Sequence, residues 1–433
     1  AKYHVEVKEN KQKKEEGLQE LPGSHDNVVM RFAPNPSGPL HIGHARAAVP
    51  NAEYVKRYGG KLILRIEDTD PKRVFEPAYD LIPQDLKWLG ITADEVYYQS
   101  DRFEIYYDYA RQLIEKGAAY MCTCDGATFK ELKDNCKPCP CRDNSVEKNL
   151  ELWDKFDQMH AGEAVLRVKT DINHKNPAIR DWVAMRIVEE THPRLGNKYR
   201  VYPMMNFSVA VDDHLMGITH VVRGNEYLSS SPKYNRLYEA FGWEIPVYVH
   251  CPLITDEEHK KLSKRCGHSS FEDLLEQGFL PECIVNFVAL LGWSPADNQE
   301  KMTMQEMIDK FDYTKMSKSP AVFDYGKLKW LNGEYIKEMD DDRYMEMALP
   351  HIKKVVTRDC DYEKIAKMVK TRIEVFPDIE ALVDFFQEVP EYDSEMYVHK
   401  KMKTTKESSL QLLNEVLPCL LYTSPSPRDY AAS

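Results

Sequence analysis

The chain has 433 residues, of which 42% are hydrophobic and 30% are charged. This length allows two to four domains, and the composition predicts a globular protein that dissolves in water. With 58 Lys and Arg against 70 Asp and Glu, the net charge is −12, which argues against indiscriminate nucleic-acid binding but permits a local basic surface. No apolar run approaches the roughly 20 residues of a membrane helix, so we expect no membrane partner.

The chain begins with a polar, charged segment, residues 1–26, which predicts a solvated lead-in. We find no secretory signal in it, and the chain carries ten cysteines, so a reducing, cytoplasmic setting is expected. The first residue is Ala1 rather than Met, which suggests that the natural start lies upstream.

The most informative stretch is RFAPNPSGPLHIGH, residues 31–44. It lies between a predicted strand, Val28–Phe32, and a helical pattern over residues 44–58, as in the first unit of a nucleotide-binding α/β domain. A helix start offers backbone N–H groups and a positive dipole end to phosphate. His41 and His44 add side-chain donors, and Gly43 permits close approach. In the same loop, Ser37 and Gly38 lie where the chain must turn tightly.

This stretch resembles the HIGH signature of class I aminoacyl-tRNA synthetases. Together with RIEDTD at Arg65–Asp70, the resemblance narrows to the glutamyl-tRNA synthetase (glutamate–tRNA ligase) family and covers about residues 27–418. It implies an α/β fold: a Rossmann-type catalytic domain with a zinc-knuckle insertion, then a helical stem-contact region and a partial α-helical anticodon-binding region. It also implies an enzyme that uses ATP with Mg²⁺ to form glutamyl-adenylate and then transfers glutamate to tRNA-Glu, acting as a monomer.

The resemblance and the composition together predict seven segments. They are a lead-in (1–26), a first Rossmann half (27–115), an acceptor-binding insertion (116–200), a second half (201–269), a stem-contact region (270–339), a truncated anticodon-binding domain (340–418) and a tail (419–433). Within the second half, the apolar runs Phe207–Val211, Ile218–Val222 and Val247–Val249 predict strands. A buried helix is predicted over Val285–Leu291, and an amphipathic helix over Tyr344, Met347, Ala348 and Ile352.

Two lysine-rich runs compete for the second class I signature, KMSKS. The run Lys261–Arg265 reads KLSKR, resembles the glutamyl variant and follows the strand-like residues 247–254. The run Lys315–Ser319 reads KMSKS literally but lies roughly 50 residues later, past a long helical segment. Position decides in favour of the first, so Lys261 and Lys264 are the expected catalytic lysines, which neutralise charge on the α-phosphate and the leaving pyrophosphate.

Glutamate recognition is expected from residues that match family positions. Arg31 and Arg223 match two arginines that face the amino acid, and a guanidinium suits a carboxylate. Glu67 matches the acidic residue that receives the α-amino group, and Ala33 is placed beside them. Many relatives carry Tyr where this chain has Met205, so one polar contact is in doubt. Glutaminyl enzymes lack an arginine at the position of Arg223, so its presence favours glutamate.

Five cysteines lie between residues 122 and 141. The pairs Cys122/Cys124 and Cys139/Cys141 have the C-x-C spacing of a tetrahedral zinc site. We expect one structural Zn²⁺ there, with Cys141 in place of a family histidine and Cys136 as a spare or rival ligand.

The chain resembles archaeal-type members up to about Asp213 and bacterial-type members after about His220. Natural recombination and misassembly of two sequences both stay open as explanations. Residues 419–433 resemble the translation of a sequencing adaptor more than a Ser/Pro-rich linker, so we expect them to lie outside the fold. Two other functions stay open: a glutamyl-queuosine tRNA-Asp synthetase, whose known members stop after the KLSKR region, and an inactive tRNA-binding fragment. Whether tRNA-Gln is also charged is likewise open.

Overall fold

The computed structural model describes residues 18–256, 258, 270–388, 391 and 393–423. The chain divides into two compact units. The first comprises the residues up to Met339 together with Thr371–Phe376, and the second comprises Asp340–Lys370 together with the residues from Pro377 onward. The candidate site lies entirely within the first unit.

Strands occur only in the first unit among the described residues. They are β1 (Val29–Phe32), β2 (Lys61–Ile66), β3 (Glu95–Tyr98), β4 (Ala119–Cys122), β5 (Val165–Val168), β6 (Val183–Ile187), β7 (Val201–Pro203), β8 (His220–Gly224), β9 (Val247–Cys251), β10 (Ile254–Thr255) and β11 (Ala321–Val322).

The helices connect these strands in the first unit and make up most of the second. They are α1 (Ile42–Tyr58), α2 (Ala78–Trp88), α3 (Phe103–Glu115), α4 (Gly126–Asp134), α5 (Val146–Asp154), α6 (Met205–Leu215), α7 (Ser231–Phe241), α8 (Phe271–Glu276), α9 (Pro281–Leu290), α10 (Met304–Lys310), α11 (Tyr325–Glu338), α12 (Asp341–Val355), α13 (Tyr362–Val369), α14 (Asp378–Val383) and α15 (Lys406–Thr423).

A five-stranded parallel sheet of order β3-β2-β1-β8-β9 forms the centre of the first unit. Its middle strands are almost wholly buried, as expected for a parallel sheet covered on both faces. Helix α1 packs against β1 and β8. Asn51 fixes this contact, because its Nδ2 donates to the Val222 carbonyl at 2.8 Å. The Rossmann-type α/β fold expected from the sequence is confirmed.

A second sheet interrupts the first. Strands β4-β5-β6-β7 pair antiparallel in that order, between β3 and β8 along the chain. Its apolar face packs on α3, where Tyr106, Ala110 and Leu113 are fully buried. The insertion therefore has a sheet of its own, whose core continues onto α6 and α7, and the chain returns from β7 through α6 to the central sheet.

One predicted element is wrong. Residues 207–211 read as a strand in the sequence, but they lie inside helix α6, Met205–Leu215. A short, continuous apolar run carries no period that separates a buried strand from a buried helix. The run ends in Asp212 and Asp213, both fully buried on the same helix, and their ion pairs favour the helical arrangement.

The predicted helices are confirmed. Val285 lies in α9, and the amphipathic pattern lies in α12, where Tyr344, Ala348 and Ile352 are fully buried. In the second unit α12 packs against α13 and α14, and the Tyr344 hydroxyl donates to the Ala366 carbonyl at 2.8 Å. No helix among the described residues combines the length and the hydropathy that crossing a bilayer requires.

Candidate active site

A cavity of about 290 Å³ opens where the parallel strands end. Arg31 belongs to β1, Glu67 directly follows β2, and Arg223 belongs to β8. In open α/β sheets, ligands bind outside the carboxyl ends of the strands. The cavity lining includes Arg31, Ala33, Ser37, His41, Gly43, His44, Glu67, Met205 and Arg223. The fold thus brings most of the residues expected to bind ATP and glutamate to one place, which we call the central cavity.

His41 and His44 together form a reciprocal cap at the start of helix α1. His41 is the N-cap, and its Nδ1 accepts from the Gly43 N–H at 3.0 Å. His44 Nδ1 accepts from the His41 N–H at 3.1 Å, and the two ring centroids are 3.8 Å apart. Because each Nδ1 accepts, a neutral ring carries its proton on Nε2. The donors expected from these side chains are therefore the two Nε2–H groups.

The loop before α1 is held by backbone geometry. Gly38 has φ of +151°, a conformation that favours glycine, and it shapes the turn without lining the cavity. Ser37 does line the cavity. At the end of the loop, the Leu40 N–H donates to Asp85 Oδ2 at 2.8 Å, and burial raises the pKa of Asp85 to about 6.

A buried charge cluster forms the floor of the central cavity. Arg31 donates from Nε and Nη2 to the carboxylate of Asp213, at 2.7 and 3.0 Å. Arg65 Nη1 donates to the same carboxylate at 2.8 Å, and its Nη2 donates to Glu67 Oε1 at 2.9 Å. All four residues are buried. Arg31, Arg65, Glu67 and Asp213 therefore form a charge-balanced set, which we call the floor cluster.

The two carboxylates of the floor cluster differ in pKa. Burial acts to raise the pKa of Asp213, but Arg31 and Arg65 outweigh it and hold the pKa below its ordinary value. At Glu67, burial outweighs the same two arginines, and the pKa is raised. Asp213 is thus a counter-ion held ionised by the two arginines. Glu67 lines the cavity, and a further cation there would stabilise its ionised form.

Asp213 and Arg65 were not among the residues predicted from the sequence. The available signal was the pair Asp212-Asp213 at the end of an apolar run, because buried acids need cationic partners. Asp212 is paired as well: it accepts from Arg102 Nε at 2.7 Å and from the Tyr106 hydroxyl at 2.7 Å.

Arg223 is buried in the central cavity without a carboxylate partner among the described residues. Its Nε donates to His250 Nε2 at 3.2 Å, and its Nη2 donates to Ser231 Oγ at 3.0 Å. The guanidinium carbon lies 4.2 Å from the ring centroid of Tyr248 and 5.1 Å from that of Tyr234. Burial is the main cause that lowers the pKa of Arg223. A buried guanidinium without a counter-ion is energetically unfavourable, so an anionic ligand bound beside Arg223 would stabilise it.

Lys261 and Lys264 lie outside the described residues. The chain on either side of their run reaches the central cavity, however. Ile254, in β10, lines the cavity before the run. After it, Ser270 forms a β-bridge with His41, and the Phe271 N–H donates to the Leu40 carbonyl at 3.2 Å.

The literal KMSKS run has a different position. Lys315 and Lys318 are exposed and are not among the residues lining the central cavity. Met316 lines a separate apolar cavity beside α1. The backbone of the run is fixed by the Ser317 N–H, which donates to the Gly292 carbonyl at 2.7 Å.

The four predicted cysteine ligands converge. The Sγ atoms of Cys122, Cys124, Cys139 and Cys141 all lie within 4.8 Å of one another. The shortest separation is 3.3 Å, between Cys124 and Cys139. Cys136 is not part of this group.

Comparison with known proteins identifies the family. Residues 27–330 match the family model described as "tRNA synthetases class I (E and Q), catalytic domain". The chain belongs to this family. Residues 343–428 match a model described as "Anticodon binding domain".

Proteins with similar sequences are named glutamate–tRNA ligases. A "Glutamate--tRNA ligase" of Methanobrevibacter smithii is 76% identical over 313 residues, which cover 69% of this chain and 56% of that protein. Another, of Lachnoclostridium phytofermentans, is 48% identical over 415 residues, which cover 90% of this chain and 84% of that protein. This chain thus spans little more than half the length of the first relative.

A solved structure shows the same fold. It is a glutamate tRNA ligase from Elizabethkingia meningosepticum in complex with its amino acid. The TM-score is 0.71 at 30% identity, and the similarity covers 91% of this chain and 86% of that one.

His250, which accepts a hydrogen bond from Arg223, is expected to make the stability of the first unit depend on pH. Burial, and then Arg223, lower the pKa of His250 to about 4 from its ordinary 6.5. Between these values the unfolded chain binds the proton more tightly, so stability is full above pH 6.5 and is lost as the pH falls toward 4. We expect His250→Gln, which keeps an acceptor for Arg223, to reduce this acid loss by about 1–3 kcal/mol.

The measurement is urea unfolding at pH 7 and pH 5, followed by the fluorescence of the six tryptophans, all at or before residue 330. His160→Gln, at an exposed position, should behave as the unaltered chain does. An acid loss of equal size in the unaltered chain and in His250→Gln would contradict the assignment.

Proposed function

We propose that this chain attaches glutamate to tRNA-Glu in two steps at the central cavity. The glutamate α-carboxylate attacks the α-phosphate of ATP in line, which gives glutamyl-adenylate and pyrophosphate. A terminal ribose hydroxyl of the tRNA then attacks the activated carbonyl and loses its proton, the bond to the adenylate phosphate breaks, and glutamyl-tRNA and AMP are formed. The observation that carries the proposal is Arg223, a buried cation without a carboxylate partner in the part of the chain that the structure describes, which lines the cavity of a family that acts on glutamate or glutamine.

Charge complementarity favours glutamate. The two arginines of the floor cluster are balanced by its two carboxylates, and Arg223 lies outside this cluster as a further buried cation. Glutamate brings a net charge of −1, and its side-chain carboxylate can pair with Arg223. Its α-ammonium group can donate to Glu67, whose carboxylate gains from a further cation. Glutamine brings no net charge and would leave Arg223 buried and unpaired.

The ATP loop acts by positioning and by electrostatics. The Nε2–H groups of His41 and His44, together with the start of α1, supply donors to the phosphates. MgATP is the expected substrate, and the magnesium ion offsets phosphate charge. Lys261 and Lys264 are proposed to complete the site from the segment between β10 and Ser270. No covalent enzyme intermediate is required, since both steps proceed by direct displacement.

The cysteine group fits a structural zinc ion. Four thiolates around one centre suit tetrahedral Zn²⁺, and with Zn–S bonds of about 2.3 Å neighbouring sulfurs lie somewhat under 4 Å apart. Three Sγ pairs lie at 3.3, 3.5 and 3.8 Å. Bound there, the metal would fasten the end of β4 to the segment that carries Cys139 and Cys141 and so hold the insertion together.

The match to an anticodon-binding domain over residues 343–428 favours a tRNA ligase over the glutamyl-queuosine paralogue, whose known members lack such a segment. We propose a cytoplasmic monomer with tRNA-Glu, glutamate and ATP as its substrates. The insertion over residues 116–200, which carries the cysteine group, is proposed to meet the acceptor end of the tRNA.

The first prediction concerns amino-acid selection. Replacing Arg223 by Cys removes the cation that pairs with the glutamate carboxylate. Unpaired buried groups cost about 1–3 kcal/mol each, so the preference for glutamate over glutamine should fall by roughly 10- to 100-fold. The measurement is kcat/KM for both amino acids. Arg186→Cys, at an exposed position on β6, is the matched control. Equal losses for both amino acids would mean that Arg223 acts structurally.

The second prediction separates the two lysine runs. Lys264→Ala should lower glutamate-dependent ATP–pyrophosphate exchange by roughly 100-fold or more, since a contact to developing charge is lost. Lys318→Ala should leave the rate within about twofold, because its side chain is exposed and away from the central cavity. Similar losses in both variants would overturn the choice of signature. Exchange assayed with and without tRNA-Glu also tests the proposed reaction itself.

The third prediction concerns the metal. Purified, reduced protein should contain about one zinc ion per chain. Cys139→Ser should lose the metal, whereas Cys136→Ser should keep it, because Cys136 lies outside the four-sulfur group. Elemental analysis of the three proteins decides. Folded, zinc-free unaltered protein would refute the site.

A further inference from the structure

The literal KMSKS run, Lys315–Ser319, leads directly into β11, and β11 pairs in parallel with β10. The Ala321 N–H donates to the Leu253 carbonyl at 2.7 Å, and the Phe323 N–H donates to the Thr255 carbonyl at 2.8 Å. Leu253 and Ile254 are lining residues of the central cavity. The segment after the run is thus hydrogen-bonded to the backbone that forms one wall of this cavity.

The run itself is tied to the same wall through a second route. The Ser317 N–H donates to the Gly292 carbonyl at 2.7 Å. Gly292 has φ of +80°, and a Cβ there would lie 3.0 Å from both Arg46 Nη2 and Pro252 Cγ. Arg46 belongs to α1, and Pro252 directly precedes Leu253. Gly292 therefore fits closely between the ATP-binding helix and the cavity wall, and Ser317 holds it there.

Apart from Met316, which lines the apolar cavity beside α1, the side chains of the run make only local contacts. Lys315 Nζ lies 3.2 Å from Oδ2 of Asp312, which shortly precedes the run, and Lys318 is exposed. Ser317 Oγ accepts from the Ser319 N–H at 3.1 Å, which closes a local turn. The run is rigid through its main chain, and its lysines do not line the central cavity.

We propose that Ser317–Phe323 is a positioning element for the nucleotide part of the central cavity: its backbone fixes Leu253–Thr255 and Gly292 without sending a side chain to the substrates. This inference rests on the proposed function, in which the cavity binds ATP. The wall that it fixes lies next to the ATP loop, whereas Arg31, Glu67 and Arg223 are held by the floor cluster and by His250. Its loss should therefore affect ATP more than glutamate.

A matched pair of proline substitutions tests the proposal. Ala321→Pro removes the N–H that bonds to Leu253. Val322→Pro alters the next residue, whose amide points away from β10 because successive amides alternate in direction along a strand. We expect Ala321→Pro to raise the KM for ATP by roughly 3- to 10-fold, the effect of one lost hydrogen bond, with the KM for glutamate within twofold. Val322→Pro should change neither KM by more than twofold.

Two substitutions at Ser317 form a second matched pair of variants, which tests the hydrogen bond to Gly292 and not the pairing of β11. Ser317→Pro removes the N–H bound to Gly292, whereas Ser317→Ala keeps it. The first should raise the KM for ATP selectively and the second should not. Melting temperatures of all four variants accompany the kinetics, and the Ser317 pair decides if Ala321→Pro unfolds.

The outcomes separate the two proposals. Absence of glutamate-dependent pyrophosphate exchange in the unaltered chain refutes the proposed function. Exchange in the unaltered chain with equal KM changes for ATP and glutamate, or with no difference between Ser317→Pro and Ser317→Ala, refutes the positioning role alone.

Discussion

The floor cluster is the interaction on which the site depends. Asp213 joins Arg31 of β1 to Arg65 of β2, and it comes from α6, so three elements meet at one carboxylate. Burying an unpaired charge costs several kcal/mol, and here each charge has a partner. The cluster therefore fixes where the two strands and the helix meet, and with them the cavity floor. The helix that follows β7 places Asp213 beside Arg31 and Arg65, and Asp212 beside Arg102.

Arg223 lies outside this balanced set and differs from it in its surroundings. Arg31 is neutralised from within the protein, since two of its N–H groups bind Asp213. Arg223 has aromatic rings, a histidine and a hydroxyl around it instead. Neutral neighbours orient the guanidinium without cancelling its charge, and burial makes that charge costly until an anion arrives. Under the proposed function, the side-chain carboxylate of glutamate is that anion.

Two runs of nearly the same spelling have different surroundings. KLSKR itself lies outside the described residues, but the chain before it contributes Ile254 to the central cavity and the chain after it forms a bridge between Ser270 and His41. KMSKS lies behind the same wall, where its amides hold Gly292 and its lysines stay outside the central cavity. Chemistry is set by where a lysine is placed relative to phosphate, and that placement is a property of the fold. The resemblance in letters therefore says little about the role of the second run.

The sequence by itself determined the class of fold, the family and the local chemistry. A strand, a Pro/Gly loop and a helix start are set by residues close together in the chain, and so is the C-x-C spacing of the cysteines. It also singled out Arg223 and Glu67 by resemblance. It did not reveal the roles of Asp213, Arg65 or His250, and it misread residues 207–211. Each of these depends on partners about 27 to 180 residues away, such as the Arg31–Asp213 pair with a separation of 182. Only the tertiary structure decided which arginine is neutralised and which stays available, because the energy of a buried charge depends on the groups that folding places beside it.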